Sequence, residues 1–532
     1  MYLQEHHRQK GNKTYQTIYL AESYREDGKV KKRYIANLSD CPANIISAIK
    51  EELKKTTNAS QSNAGALVFE QGKSFGGIFA VLDVCKRLGI TAALGKDIRQ
   101  SGLALFQIAA RVLSQRSRNY AANEWLPLVA AEDLLHLTPF NEDSLYANLD
   151  WLCTNQEKIE KKLFQFRHKN NTNAKTVYLY DVTSSYFEGT QNELSNFGYN
   201  RDGKKGKKQI VIGLLCDETG YPISVQVFEG NTQDTATLSD QIKKLQNNFG
   251  IKHLVMVGDR GMIKSASIDE MLSIKWHYIT AITTPQIKTL LSQGLIQLSL
   301  FEEELLEIWQ EDIRYLLRRN PVRTKEIANT RREKIAKIRL LSELKTSYLV
   351  AHPKASVAVA MKAVREKAAQ LKVKEIVNIV AEKRSITVSI DKKKLVRASQ
   401  LDGCYMIKSN VPKAVASKET VHTRYKDLAM VENAFRTMKQ SFEEMQPIYV
   451  RKESRTRAHV FVCMLSYMII KYIWEVCKEL SITQAAIFEN LNSIHYFQYK
   501  IKKTVIKKLP DELNESQTKI LNCLKLKLPS MV

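Results

Sequence analysis

Two short apolar runs, Val177-Tyr-Leu-Tyr180 and Leu254-Val-Met-Val257, each lead into an aspartate, Asp181 directly and Asp259 after one glycine. Four apolar residues in a row fit a central strand, buried on both faces by neighbouring layers. Two further runs follow the first: Gln209-Ile-Val-Ile-Gly-Leu-Leu-Cys216 and Ile223-Ser-Val-Gln-Val-Phe228, with a turn at Glu218-Thr-Gly-Tyr-Pro222. His253-Leu-Val-Met-Val257 then opens a second pass, through a helix near Ile263 to Ile274 and a strand Tyr278-Ile-Thr-Ala-Ile282. Three strands, a crossing and strand–helix–strand predict a mixed α/β sheet. Both aspartates fall in that sheet or just beyond it, where ligands gather in α/β folds.

At 532 residues the chain is too long for one core, and about two to four compact units are expected. Residues 1–60 form an N-terminal region with a β-hairpin over 14–38, turning at Asp27-Gly28. Lys54 to Asn63 reads as a linker, and 61–172 as a helical region expected to bind DNA. The α/β core begins at 173–285. Residues 286–401 are rich in Lys, Glu and Leu and read as an insertion, with helices around Thr324 to Leu344 and Val357 to Leu371. The core resumes over 402–475, with a strand at Gly403 to Ser409 and one long helix from Glu419 to Phe442. Residues 476–532 read as a helical C-terminal region.

Lys and Arg number 81 against 56 Asp and Glu, a formal charge of +25 that points to a polyanionic partner, nucleic acid before others. The 8 cysteines include no Cys-x-x-Cys pair, which leaves zinc sites and disulfide frameworks without support. The apolar stretch Ala458 to Ile470 ends at Lys471 and fits a buried helix rather than a membrane span. No signal-peptide pattern opens the chain, so a cytoplasmic protein without a membrane partner is expected.

A third acid lies in the predicted helix. Leu428, Val431, Phe435 and Met438 are spaced 3, 4 and 3 and make one apolar stripe. Glu432 lies four residues after Leu428, ~40° round the helix, and so borders the packed face. Tyr425, Arg436 and Lys439 share its ridge. Without the two aspartates, Glu432–Arg436 would read first as a solvated i,i+4 pair. The loop Arg201-Asp-Gly-Lys-Lys-Gly-Lys-Lys208 joins the first two core strands, and its cations Arg201, Lys204, Lys205, Lys207 and Lys208 could track a DNA backbone or form a solvated turn. Arg451 to Arg457 is a similar case. His459 has no second ligand at metal spacing on its helix and reads as structural.

Tyr180-Asp-Val-Thr-Ser-Ser185, Gly258-Asp-Arg-Gly-Met262 and Tyr425-x6-Glu432-x6-Lys439, in this order, resemble the DDE transposases of bacterial insertion sequences. The resembling branch carries its third acid in a Tyr-x2-Arg-x3-Glu-x6-Lys signature. Asp402 to Asn410 and Pro447 to His459 extend the resemblance, which covers about 177–470. One position departs: Leu428 stands where the signature has Arg. The resemblance implies an RNase H-like mixed-sheet core interrupted by an insertion domain. It implies Asp181, Asp259 and Glu432 as catalytic ligands of two Mg²⁺, replaceable by Mn²⁺, with Asp181 bridging the ions. It also implies Tyr425 and Lys439 as DNA-phosphate contacts. For the cation that the missing Arg would supply, helix spacing favours Arg436, one turn after Glu432 on the same ridge, ahead of Arg424, eight residues back. The implied activity is cleavage and transfer of double-stranded DNA at the element's terminal inverted repeats and at target DNA, by a homodimer. A cleavage-inactive end-binding repressor and a structure-specific nuclease on the same fold are the alternatives.

Overall fold

The computed structural model describes residues 2–529 apart from 11–12, 27–28, 59–67, 170–175, 200, 205, 252, 441–447 and 502–503. Strands β1 (Tyr2–Lys10), β2 (Lys13–Glu26) and β3 (Lys29–Asn37) form an antiparallel sheet in that order. Ile18, Leu20, Ala36 and Leu38 are buried with Ile49 of the helix Ala43–Asn58 and with Phe497. The predicted hairpin is β2–β3, and its turn Asp27-Gly28 lies outside the described residues, as does the second half of the predicted linker. β1 went unread because Tyr2 to Lys10 shows no apolar alternation.

Strand β4 (Val68–Ser74) precedes the helices Gly76–Arg87, Ile98–Leu113 and Glu142–His168. Asn141 and Ser144 close a capping box at the start of the last. The helix Glu453–Cys477 packs among these helices. Its composition would allow a membrane span, but 72% of its apolar window is buried inside the fold.

The large sheet begins with β5 (Thr176–Tyr186), β6 (Gln209–Asp217) and β7 (Pro222–Glu229), paired antiparallel. β8 (Leu254–Gly258) runs parallel to β5 on its other side, and β9 (His277–Ala281) parallel to β8. The order β7-β6-β5-β8-β9 is the RNase H-like arrangement, with β5 at its centre. Every residue of β6 and β8 is buried, which is why these strands read as unbroken apolar runs.

The sheet does not stop where residue 286 was expected to open an insertion. β10 (Leu306–Gln310) and β11 (Ile313–Arg319) extend it through β14 (Cys404–Ser409), giving eight strands in the order β10-β11-β14-β9-β8-β5-β6-β7. Arg314, fully buried, fixes this junction: its guanidinium meets Glu307 and donates to the carbonyls of Val411 and Ala416 at 2.8 and 2.9 Å. The part with a core of its own lies between β11 and β14. It comprises the helices Pro321–Ala351, Val357–Gln370 and Lys392–Ser399 and the hairpin of β12 (Val377–Glu382) and β13 (Ser385–Ile390).

Two other expectations need correction. The single helix from Glu419 to Phe442 is two helices, Lys418–Lys426 and Leu428–Gln440, because Asp427 ends the first (Phe442 lies outside the described residues). Asp427 accepts from the Met430 amide at 2.9 Å, a tighter i to i+3 closure that shifts the register there. The C-terminal region is also not all helical. β15 (His495–Ile501) pairs with both β4 and β16 (Thr504–Lys508). Consecutive Tyr496 and Phe497 are both buried, on opposite faces, which hides the strand's alternation.

The stripe on the second of these helices is buried as expected. Leu428, at 8% exposure, joins Val431, Ala434, Phe435 and Met438 in the main core. Phe435→Ala should therefore cost about 3–5 kcal/mol of stability, while exposed Glu432→Gln should change it by less than about 0.5 kcal/mol. Equilibrium denaturation of the two variants measures the difference.

Candidate active site

Three elements bring the acids to one place. Asp181 sits in the middle of β5, paired across to Leu214, with its carboxyl half-buried. Asp259 follows the last residue of β8, the parallel neighbour of β5, and is exposed. Glu432 is exposed on the helix Leu428–Gln440, whose buried stripe turns its carboxylate toward β5. All three line a single cleft of about 800 Å³, together with Tyr425, Arg436, Lys439 and Arg201. The cleft continues past Arg260 to Ile282, Asn320 and Tyr405, at the root of the inserted helices.

Electrostatics ties the acids to one another. Burial raises the Asp181 carboxyl to about 7, and the charges of Asp259 and Glu432 push the same way, while Val182's amide and the Arg201 cation pull against them. Burial and the Asp259 carboxylate also raise the Tyr425 phenol, so its hydroxyl keeps its proton and donates to Asp259 Oδ1 at 3.4 Å. Like-charged carboxylates on one cleft favour a bound cation, which lowers the cost of ionising all three. The donors are hard oxygens, suited to Mg²⁺ or Mn²⁺ rather than to a soft metal. Among the described residues no three His, Cys, Asp or Glu side chains close round one point as a finished ligand set.

The basic residues separate into two groups. Arg436 lines the cleft, is exposed, and has no ion-pair partner among the described residues. Arg424 pairs instead with Glu218 and Asp427, both at 3.2 Å, and does not line the cleft. Arg201 lines the cleft but gives its guanidinium to both carboxylate oxygens of Asp234 at 2.6 and 2.7 Å. Lys207 pairs with Glu188 at 2.7 Å, Lys204 lies 5.7 Å over the Tyr186 ring, and Lys208 is half-buried; none of the three lines the cleft. Lys205 lies outside the described residues. Lys439 reaches the cleft with its ammonium bound to Ser184 and Asp202.

In the Arg451–Arg457 segment, Arg455 binds Asp150 at 2.9 Å and Arg457 binds Glu453 at 2.7 Å and the Val227 carbonyl, which makes both structural. His459 is buried and takes a contact from Arg118 at 3.0 Å. All eight cysteines are free thiols. Two residues escaped the sequence reading: Arg260, which lines the cleft, and Asp202, which lies outside its lining and binds Lys439. Arg260 stands beside Asp259 in the quoted Gly-Asp-Arg-Gly. Asp202 lies inside the basic loop, where an acid among cations was the available signal.

Residues 172–469 match the family described as Transposase DDE domain, and residues 4–66 match the N-terminal domain of IS1634 family transposases. No curated protein matches the chain. Among solved structures the chain is similar to a piggyBac transposase in a synaptic complex with hairpin DNA. The identity is 10% and the TM-score 0.35, over 73% of this chain and 69% of that one. A Mos1 transposase in a paired-end complex with the left transposon end gives 10% identity and a TM-score of 0.15, over 43% of this chain and 72% of that one. The DDE match alone spans more than half of the sequence, and the chain belongs to the DDE transposases of insertion sequences.

Proposed function

We propose that this transposase binds the terminal inverted repeats of its element and cuts and joins DNA strands at the cleft of Asp181, Asp259 and Glu432. The observation that carries this reading is the convergence of three carboxylates, from mid-strand, strand end and helix, on one open cleft that Arg436 also lines. Asp181, Asp259 and Glu432 would hold two Mg²⁺ ions, with Mn²⁺ as a substitute. Bound ions of this kind activate the attacking oxygen and stabilise the leaving one in an in-line displacement at phosphorus. Tyr425 orients Asp259 through its hydroxyl. Arg436 offers charge to the phosphate, offsetting three acids that repel it. The substrate is double-stranded DNA, engaged by a homodimer in the DNA complex, and the work is done in the cytoplasm. The family membership supports this reading, as does the surplus of 81 basic over 56 acidic residues.

Asp181→Asn, Asp259→Asn and Glu432→Gln should each abolish end cleavage in Mg²⁺ while DNA affinity is largely kept. Gel assays of cutting and binding decide it, and a variant that cuts at the wild-type rate is not a ligand. Arg436→Ala should slow strand joining from pre-cut ends far more than Arg424→Ala, because only the first faces the cleft; equal small losses would place the needed cation elsewhere. DNA affinity should fall by about 10³ or more between low and moderate salt, as several phosphate contacts release counterions. A flat salt titration would contradict a DNA-tracking surface.

A further inference from the structure

The N-terminal sheet has one covered face and one open face. Ile18, Leu20 and Ala36 are packed with Ile49 of the helix Ala43–Asn58. The register sends the alternate residues the other way: Tyr2 and Tyr34 stand opposite Ala21, His6 opposite Thr17, and Lys32 opposite Ser23. With Tyr19 these side chains form one row across all three strands. The rings of His6 and Tyr19 lie 6.0 Å apart, and those of Tyr19 and Tyr34 4.8 Å apart. Lys32 Nζ stands 4.8 Å from the Tyr34 ring and 5.7 Å from that of Tyr2. Tyr2, His6, Lys32 and Tyr34 are exposed, while Ala21, between the two tyrosines, is fully buried.

Charge sorts between the two faces. Glu5 and Glu22 belong to the covered face, where they pair with Lys50 at 2.9 Å and with Arg33. Among the described side chains of the three strands, the open face holds no carboxylate. An aromatic patch alone fits many partners, but an ammonium set among rings on a face without acids suits a polyanion. Lys32 covers the rings of Tyr2 and Tyr34, so these are not open platforms for an unpaired base. The outer strands of such a sheet lie about 10 Å apart, at about 4.8 Å per neighbour. That width fits the major groove of duplex DNA, about 12 Å, and exceeds the minor groove, about 6 Å. The helix Ile98–Leu113, in the region expected to bind DNA, is buried without a break from Ser101 to Val112 and offers no face to a groove.

We infer that the open face of the N-terminal sheet, through Tyr2, His6, Tyr19, Lys32 and Tyr34, binds the terminal repeats as duplex DNA by lying in the major groove. This rests on the function proposed above and adds where the ends are held, by residues none of which lines the acid cleft. Lys32, on an outer strand, meets a phosphate at the rim, and Tyr19, on the central strand, faces the base edges.

Full-length protein and a duplex carrying a terminal repeat, without divalent metal, test this. Bound protein should shield guanine N7, which faces the major groove, from dimethyl sulfate, and Lys32→Ala and Tyr34→Ala should lose that shielding. Each should weaken binding about tenfold. The slope of log affinity against log salt should shrink by about 0.9 in Lys32→Ala and stay unchanged in Tyr34→Ala. Lys50→Ala, on the covered face, should bind as wild type. At saturating pre-cut DNA, Lys32→Ala should join strands at the wild-type rate. Wild-type affinity in both open-face variants overturns the inference, as does an equal loss in Lys50→Ala, which would mean that net charge alone matters. Guanines that stay reactive throughout, or a single strand that outcompetes the duplex, overturn it too. Should Tyr34→Ala fail to fold, Lys32→Glu replaces it, with a larger loss than Lys32→Ala expected. A wild-type protein that neither prefers the repeat nor cuts DNA sinks the proposed function, while the Lys32→Ala slope on unrelated duplex still decides whether this face holds DNA.

Discussion

The cleft depends on one apolar stripe. Leu428, Val431, Phe435 and Met438 tie the helix Leu428–Gln440 into the main core, and this burial puts Glu432 over β5. Each such side chain contributes about 1.5–3 kcal/mol when fully buried. Repulsion between two carboxylates is about 4 kcal/mol at 4 Å with an effective dielectric of 20, and less when they are further apart or wetted. Asp259 and Glu432 are exposed, so the stripe prevails and the acids can face one another in the folded protein. A slip of the helix by one residue would turn it by about 100° and carry Glu432 off the cleft. Leu428 is part of that register. The residue that departs from the family signature gains a packing role where it loses a charge.

What the sequence revealed depended on how local the deciding interactions are. β5, β6 and β8 were legible because burial on both faces leaves unbroken apolar runs, and Asp181 and Asp259 were legible because they end such runs. The stripe of the Glu432 helix was legible from its 3, 4, 3 spacing. The break at Asp427 was not, because an aspartate inside a helical pattern looks the same whether the next turn tightens or continues. The inward turn of Lys439 depends on Asp202, 237 residues away in sequence, and no spacing rule connects them. The same holds for Arg314, whose burial joins the sheet extension to the loop leading into the helices of Tyr425 and Glu432.

The open edge of the sheet is also managed at long range. Among the described residues β7 has no strand on its outer side, but Gln156 donates to the Val225 carbonyl at 2.8 Å and Glu160 accepts from the Val225 amide at 3.3 Å. Arg457 covers the Val227 carbonyl. Side chains thus satisfy backbone groups that would otherwise invite another strand. Glu160 is fully buried and held by Lys244 at 2.6 Å, so this cover is part of the core.

Pairing of β4 with β15 gives the molecule a particular order of assembly. Ser74, at the end of β4, hydrogen-bonds to Asn492 across 418 residues of chain. On a ribosome β4 waits for β15 while the 418 residues from Ser74 to Asn492 are made, and the helix Glu453–Cys477 joins the earlier helices only after the large sheet has been made. Contacts this distant in sequence close slowly. The acids of β5 and β8 therefore exist in the nascent chain well before the helix that completes them has a core to pack on. The cleft that gathers Asp181, Asp259 and Glu432 closes only after the chain beyond residue 453 has been made.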